Sequence, residues 1–585
     1  MGEFAVWAPE RLRVRLSLAS EVRDLAQYPD GWWRADVPEA GPGTEYAYLI
    51  DESSEPLPDP RSPWQPHGVH GPSRTYDHAA FEWTDARWPG RALPGSVLYE
   101  LHIGTFTREG TFDAAIGRLD HLVELGVDLV ELLPVNAFNG MHNWGYDGVC
   151  WYAPKEAYGG PDGLKRFVDA CHARGLGVIL DVVYNHFGPS GAYAPRFAPY
   201  LSAEANTWGR SLNLDGPLSD GVRRYVLDSA LMWLRDYHVD GLRLDAVHAL
   251  VDHRAVHVLE ELAAEVDALA AAVGRPLTLI AESDLNDPRL ITPREAGGYG
   301  LHAQWNDDAH HALHALLTGE RQGYYADFGS VECLAAVLTG AFFHAGTWSS
   351  FRRRTHGRPV DRERTAGHRF VAYLQNHDQI GNRARGDRIS ELLRPGLLRV
   401  GATLLFTSPF TPMLFMGEEW GARTPWQFFT SHPEPELAAA VAGGRRREFA
   451  AHGWPPDDVP DPQDRATFTR SRLDWAELDK PAHRELYDFH RRLIALRKSR
   501  PDLSDPRLDR VQVWSGDRFV VIRRGDTVVA ANLGPAAARL PLPAEPESVL
   551  LATEPGVTVG QEFAEMPPES AAVVSICKTG PVFSR

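Results

Sequence analysis

Four short apolar runs in this 585-residue chain end in acidic, basic and imidazole side chains: Asp181 with Asn185 and His186, Arg243 with Asp245 and His248, Glu282 with Asp284, and Asn376 with His377 and Asp378. One such cluster is an ordinary strand end that caps or turns the chain. Four together point to a shared site. In GLRLDAV, alternation along a strand puts Gly241, Arg243, Asp245 and Val247 on one face. A lone buried Asp is costly, whereas one beside a guanidinium is tolerated and favoured as the anion, as a nucleophile must be. Glu282 ends the apolar run LTLIAES, where partial desolvation raises a carboxyl pKa and lets it hold a proton near neutral pH. An anionic nucleophile beside a protonated acid is the division of labour in retaining glycoside hydrolysis, which needs about 5 to 5.5 Å between the two groups. Asp378, His186 and His377 would then hold sugar hydroxyls and support a positively charged transition state. The same mixture of His and Asp could bind a metal, but the ligands fall on separate strands without recognisable spacing, so neither metal nor cofactor is expected.

Such residues meet only if strand ends converge, and the pattern between about 91 and 500 provides for that. Apolar runs (SVLYELHIGTF, VDLVELLPV, LGVILDVVYNH, VDGLRLDAVH, PLTLIAES, GLHAQWND, RFVAYLQNHD, LLFTSPFTPMLFM) are separated by segments of helical spacing. Eight buried strands alternating with helices predict an α/β fold, a closed (β/α)8 barrel whose strand C-termini share one mouth. Residues 1–90 show short alternating strands and turns, read as an N-terminal β-sandwich. Residues 501–585 return to that pattern and read as a C-terminal β-domain. Two long irregular stretches, roughly Phe187 to Asp220 and Arg423 to Asp474, exceed ordinary loop length and are expected to serve the site. Glu418, Glu419, Trp420 and Trp426 could shape it further, although a cap or solvent-facing role suits the two glutamates equally well.

The formal charge of −18 argues against a nucleic-acid partner, which requires a local excess of Lys and Arg. A neutral sugar makes no such demand, and Trp144, Trp208, Trp305, Trp420 and Trp426 supply flat apolar faces, although most Trp simply pack. Four scattered cysteines, no basic-then-apolar start and no long apolar run predict a cytoplasmic protein without a membrane span. The oligomeric state is not encoded in any pattern of this kind.

DVVYNH (181–186), GLRLDAVH (241–248), LIAESD (279–284) and LQNHDQ (374–379) resemble, in order, the four signature segments of the α-amylase superfamily. Within it, YELHIGTFTREGTF (99–112), WGYDG (144–148), LQNHDQIGNRA (374–384), MGEEWGARTPWQFF (416–429) and VPDPQD (459–464) are similar to the maltooligosyltrehalose trehalohydrolases. That resemblance implies cleavage of the α-1,4 bond between a maltooligosaccharide and terminal trehalose, with maltooligosyltrehalose as substrate and trehalose as product. It implies Asp245 as nucleophile, Glu282 as proton donor and Asp378 as transition-state stabiliser. Asp181, His186, Arg243 and His377 fall on further sugar-binding positions, and Tyr146 on the aromatic that stacks at the cleavage point. A glucan branching or debranching enzyme with the same carboxylates is the alternative.

Overall fold

The computed structural model describes residues 2–19, 21–206, 208–451, 455 and 458–577. Met1, Ser20 and 578–585 of the two expected outer domains lie outside the described residues, as do residue 207 and most of 452–457 in the long stretches.

Eight parallel strands close into a barrel: β1 (Leu98–Leu101), β2 (Leu129–Leu132), β3 (Gly177–Val182), β4 (Gly241–Leu244), β5 (Thr278–Ala281), β6 (Ala303–Trp305), β7 (Phe370–Tyr373) and β8 (Thr411–Phe415). The ring closes where Met413 of β8 pairs with Leu98 of β1. Each strand lies within one of the eight apolar runs. Leu98, Leu129, Ile179, Ile280, Ala303, Val371 and Met413 form one apolar cluster. Two residues further along, on the same face, the layer turns polar: Glu100 pairs in register with Glu131, and Asp181 with Arg243. The sequence thus changes from an apolar floor to a charged rim within a single strand repeat.

The run LLFTSPFTPMLFM is only partly strand. Leu404 to Thr407 finish the helix Pro395–Thr407, and β8 starts at Thr411. Apolar residues continue through the helix end, so periodicity could not mark the boundary. The two long stretches also carry structure of their own. The first folds as the hairpin Leu201–Asn206 and Gly209–Leu212, and the second contains the helices Pro435–Ala451 and Arg465–Arg470.

Ahead of the barrel, a three-stranded and a four-stranded antiparallel sheet enclose Phe4, Val6, Val14, Leu16, Trp33 and Tyr48, joined by Phe197 from the first long stretch. Behind it, a five-stranded sheet and a three-stranded sheet enclose Val521, Val528, Leu540, Met566 and Val574. Among the described residues, no helix is long and apolar enough to cross a membrane.

Candidate active site

The charged rim opens into a cleft of about 650 Å³ at the strand C-termini, lined by Tyr146, His186, Asp245, Glu282 and Asp378 among others. Arg243, Asp181 and His377 lie just beneath it, each no more than 1% exposed. Arg243 ties the floor together. Its Nη1 donates to Asp181 (2.8 Å to Oδ2) and to Asp245 (2.7 Å to Oδ1), while Nη2 stands 3.7 Å from Glu282 Oε2. The guanidinium lies 4.2 Å from the centre of the Trp305 ring, a cation–π contact that helps hold a fully buried cation in place.

Asp245 follows the last residue of β4, and its second oxygen accepts from Asn185 Nδ2 at 2.7 Å. The strand alternation ends there, because Ala246 turns into the left-handed region (φ 40°) and Val247 begins a 3₁₀ turn. Val247 therefore does not share the face of Arg243 and Asp245, as plain alternation had predicted. The turn instead aims backbone amides at the neighbouring strand end: Ala246 N–H donates to Glu282 Oε2 at 2.5 Å, and Val247 N–H to the Glu282 carbonyl at 3.1 Å. A left-handed alanine costs about 1 to 2 kcal/mol, so the surrounding bonds must hold it.

Burial pushes the Glu282 carboxyl up to about 8; Arg243 pulls the other way, and the charges of Asp245 and Asp378 add to the rise. Asp181 is lifted by burial to about 7 despite Arg243. At His377 burial disfavours the cation, yet the carboxylates of Glu100 and Asp378 prevail and lift it to about 9. Glu100 of β1 accepts from His377 at both its ring Nδ1 (2.5 Å) and its backbone N–H (3.0 Å). With both ring nitrogens protonated, Nε2–H donates to Tyr146 Oη (2.8 Å), and the Tyr146 hydroxyl donates to Asp181 (2.6 Å). One continuous chain of charge-assisted bonds thus runs from Glu100 to Asp245. Tyr146 can enter it because Gly145 turns at φ 114°, where a Cβ would stand 2.2 Å from the Pro134 carbonyl oxygen.

Asp378 sits in the first turn of the short helix His377–Gly381, with Asn376 capping the turn through Gln379 N–H (2.9 Å). Its Oδ2 lies 3.6 Å from His377 Nε2. His186 meets an acceptor at each ring nitrogen, Asn185 Oδ1 at Nδ1 (2.5 Å) and the Tyr146 carbonyl at Nε2 (3.1 Å), which orients it along the cleft wall.

Not every residue raised by the sequence belongs here. Glu418 and Glu419 are buried under β8: Glu419 accepts from Tyr99 Oη at 3.0 Å and bonds His121 Nε2 at 2.7 Å. Trp420 and Trp426 are fully buried, and Trp426 reaches the site only by stacking behind Trp144 at 5.3 Å. Conversely, Glu100 and Asn185 serve the site more directly than their neighbours suggested. Asp307 at the start of the helix Asp307–Thr318, Arg445 of the helix Pro435–Ala451, and Tyr324, Phe351, Arg352 and Phe428 from the connecting segments complete the cleft. Among the described residues, no group of three or more His, Cys, Asp or Glu is arranged to hold a metal ion.

The family model described as alpha amylase, catalytic domain, matches residues 77–206, and one described as a domain of unknown function matches 506–574. The malto-oligosyltrehalose trehalohydrolase of Arthrobacter ramosus is 62% identical over 503 residues, 85% of this chain and 87% of its own length. That of Rhizobium sp. (strain M-11) is 56% identical over 582 residues, 98% of this chain and 97% of its own. The chain belongs to the malto-oligosyltrehalose trehalohydrolase family. A crystal structure from Salmonella typhimurium, described as an alpha amylase, superposes with a TM-score of 0.90 at 38% identity and covers 98% of this chain and 97% of that one. A pullulanase of Anoxybacillus sp. LM18-11 gives 0.73 at 19% identity, over 98% of this chain and 86% of its own, which shows the shared fold.

For this trehalohydrolase-family chain, the double contact of Arg243 Nη1 gives a direct test. Arg243→Lys should lower kcat by about 10- to 150-fold, because lysine ends one bond short of the position of Nη1, which bonds Asp181 and Asp245, and has no second nitrogen to face Glu282, and one lost charge-assisted bond is worth about 1.5 to 3 kcal/mol. Steady-state kinetics beside an unchanged far-UV spectrum would check it; a near-normal kcat would refute the role.

Proposed function

We propose that the chain hydrolyses the α-1,4 bond joining a maltooligosaccharide to terminal trehalose, releasing trehalose with retention of configuration. The observation that carries the mechanism is that Asp245 and Glu282 flank one guanidinium at the mouth of the barrel, one bonded to it and the other pushed up to about 8. The substrate comes from the full-length relatives named above. Asp245 attacks the anomeric carbon while Glu282 protonates the departing oxygen of trehalose, giving a covalent glycosyl-enzyme. Glu282, now a carboxylate, takes a proton from water, which attacks the same carbon and frees Asp245. Asp378 faces the positive charge that develops on the ring. Tyr146, Asp181, His186, Arg243 and His377 set the floor on which the sugar rests, with Arg243 holding the nucleophile in line. A cytoplasmic setting suits the four unpaired thiols, Cys150, Cys171, Cys333 and Cys577.

Maltotriosyltrehalose should yield trehalose and maltotriose with a kcat/KM about 100-fold or more above that for a plain maltooligosaccharide of equal length, since a site built around particular hydroxyls discriminates strongly. Product chromatography settles it. Equal rates on both substrates would remove the trehalose claim, and new α-1,6 bonds in the products would favour a branching activity.

A further inference from the structure

A second cavity, of about 330 Å³, shares no lining residue with the catalytic cleft. It is bounded by the segment after β1 (Gly104, Glu109, Gly110), by Met141 and His142 after β2, and by Arg465, Phe468 and Arg472 of the helix Arg465–Arg470 and the turn after it. The family-like segment VPDPQD runs directly into that helix, yet none of these side chains lines the catalytic cleft.

The electrostatics of this cavity are uncompensated. Neither Arg465 nor Arg472 pairs with a carboxylate within 4 Å among the described residues, and Arg108 adds a further cation near Arg472, while Glu109 brings an opposing charge. Arg472 lies flat on Phe468 at 4.8 Å, and its Nε is buried without a partner. His142 is 8% exposed, stacks on Phe468 at 4.7 Å, and has its Nε2 buried with no hydrogen-bond partner. Burial, with Arg465 and Arg472 adding to it, depresses His142 to about 4. Repelling cations around one hollow are what a bound anion would relieve.

We infer that this cavity is a binding site for a phosphate monoester, with Arg465 and Arg472 on the phosphate oxygens and His142 in the wall beside them. Guanidinium groups match phosphate oxygens in pairs. The volume sits at the small end of ligand pockets, about 300 to 1,000 Å³, and Met141, Phe468 and Tyr158 offer apolar faces for a sugar ring beside Glu109, which can accept its hydroxyls. The occupant this chemistry fits best is a phosphorylated monosaccharide; inorganic phosphate shares the recognised group.

Isothermal titration of the full chain with glucose 6-phosphate, inorganic phosphate and glucose tests this. Glucose 6-phosphate should bind about tenfold or more tightly than glucose. The double variant Arg465→Gln with Arg472→Gln should bind it about tenfold or more weakly than wild type, while Glu282→Gln, altered in the other cleft, should bind it as wild type does. Arg465→Gln alone changes one exposed side chain, so its weakened binding keeps the test readable if the double variant fails to fold. Inorganic phosphate binding as tightly as glucose 6-phosphate, with the same loss in the variants, supports the site and assigns the free ion to it. Equal affinity in wild type and variants, or no binding of either phosphate, overturns the inference.

Discussion

Replacing Glu282 with Gln should lower kcat on maltotriosyltrehalose by about 10³-fold or more, because an amide of the same shape cannot protonate a departing sugar oxygen. The fold should survive, since a Gln carbonyl can still accept from Ala246 N–H, the bond that now holds the carboxylate at 2.5 Å. The pH profile carries the same argument with a definite sign. A carboxyl raised to about 8 is protonated below that value and loses its proton as the pH climbs through it. In wild type, kcat/KM should therefore fall on the alkaline side, about tenfold per pH unit above the apparent pKa, and in Glu282→Gln that limb should vanish. A Gln variant that keeps both the rate and the alkaline limb would assign the proton donor elsewhere.

How much of this was legible in the residues follows from the range of the signals. The barrel was, because eight buried parallel strands must each read as a short apolar run, and each strand lies inside the run that announced it. Arg243 and Asp245 could be placed side by side because a strand repeats every two residues; the structure adds that Asp181, from the next strand, accepts from the same guanidinium. Beyond the strand ends the local signal stops. Nothing in an alanine foretells the left-handed turn at Ala246, since its cost is met by bonds from a neighbouring strand. Glu100 sits in YELHIGTF, but its grip on His377 spans 277 positions in sequence and depends on the barrel closing β8 onto β1. The two long stretches gave length and composition without period, so the 17-residue helix Pro435–Ala451 that delivers Arg445 to the cleft went unseen. Glu418, Glu419, Trp420 and Trp426 show the opposite error: residue types suited to a sugar site lie under it, packed and bonded among themselves and their neighbours.

Asp245→Asn should cost about 10⁴-fold or more in kcat, the largest single loss expected in the molecule. Two effects combine there. Asn is a poor nucleophile, and its amide brings a donor toward Arg243 and Asn185, both of which now donate to the carboxylate at 2.7 Å. Rate loss alone would not separate a nucleophile from a charge that merely steadies the transition state, but stereochemistry does. In Asp245→Ala, azide can occupy the vacated volume and attack α-maltosyl fluoride from the face opposite the leaving fluoride; the C–F bond breaks, a C–N bond forms, and the product is the β-azide. In Glu282→Ala, Asp245 still displaces fluoride first, and azide then enters from the other face to give the α-azide. The pair of variants should therefore return opposite anomers from one substrate. If Asp245→Ala gave the α-azide, a different carboxylate would be forming the covalent bond, and the contact with Arg243 would serve only to hold the floor of the cleft.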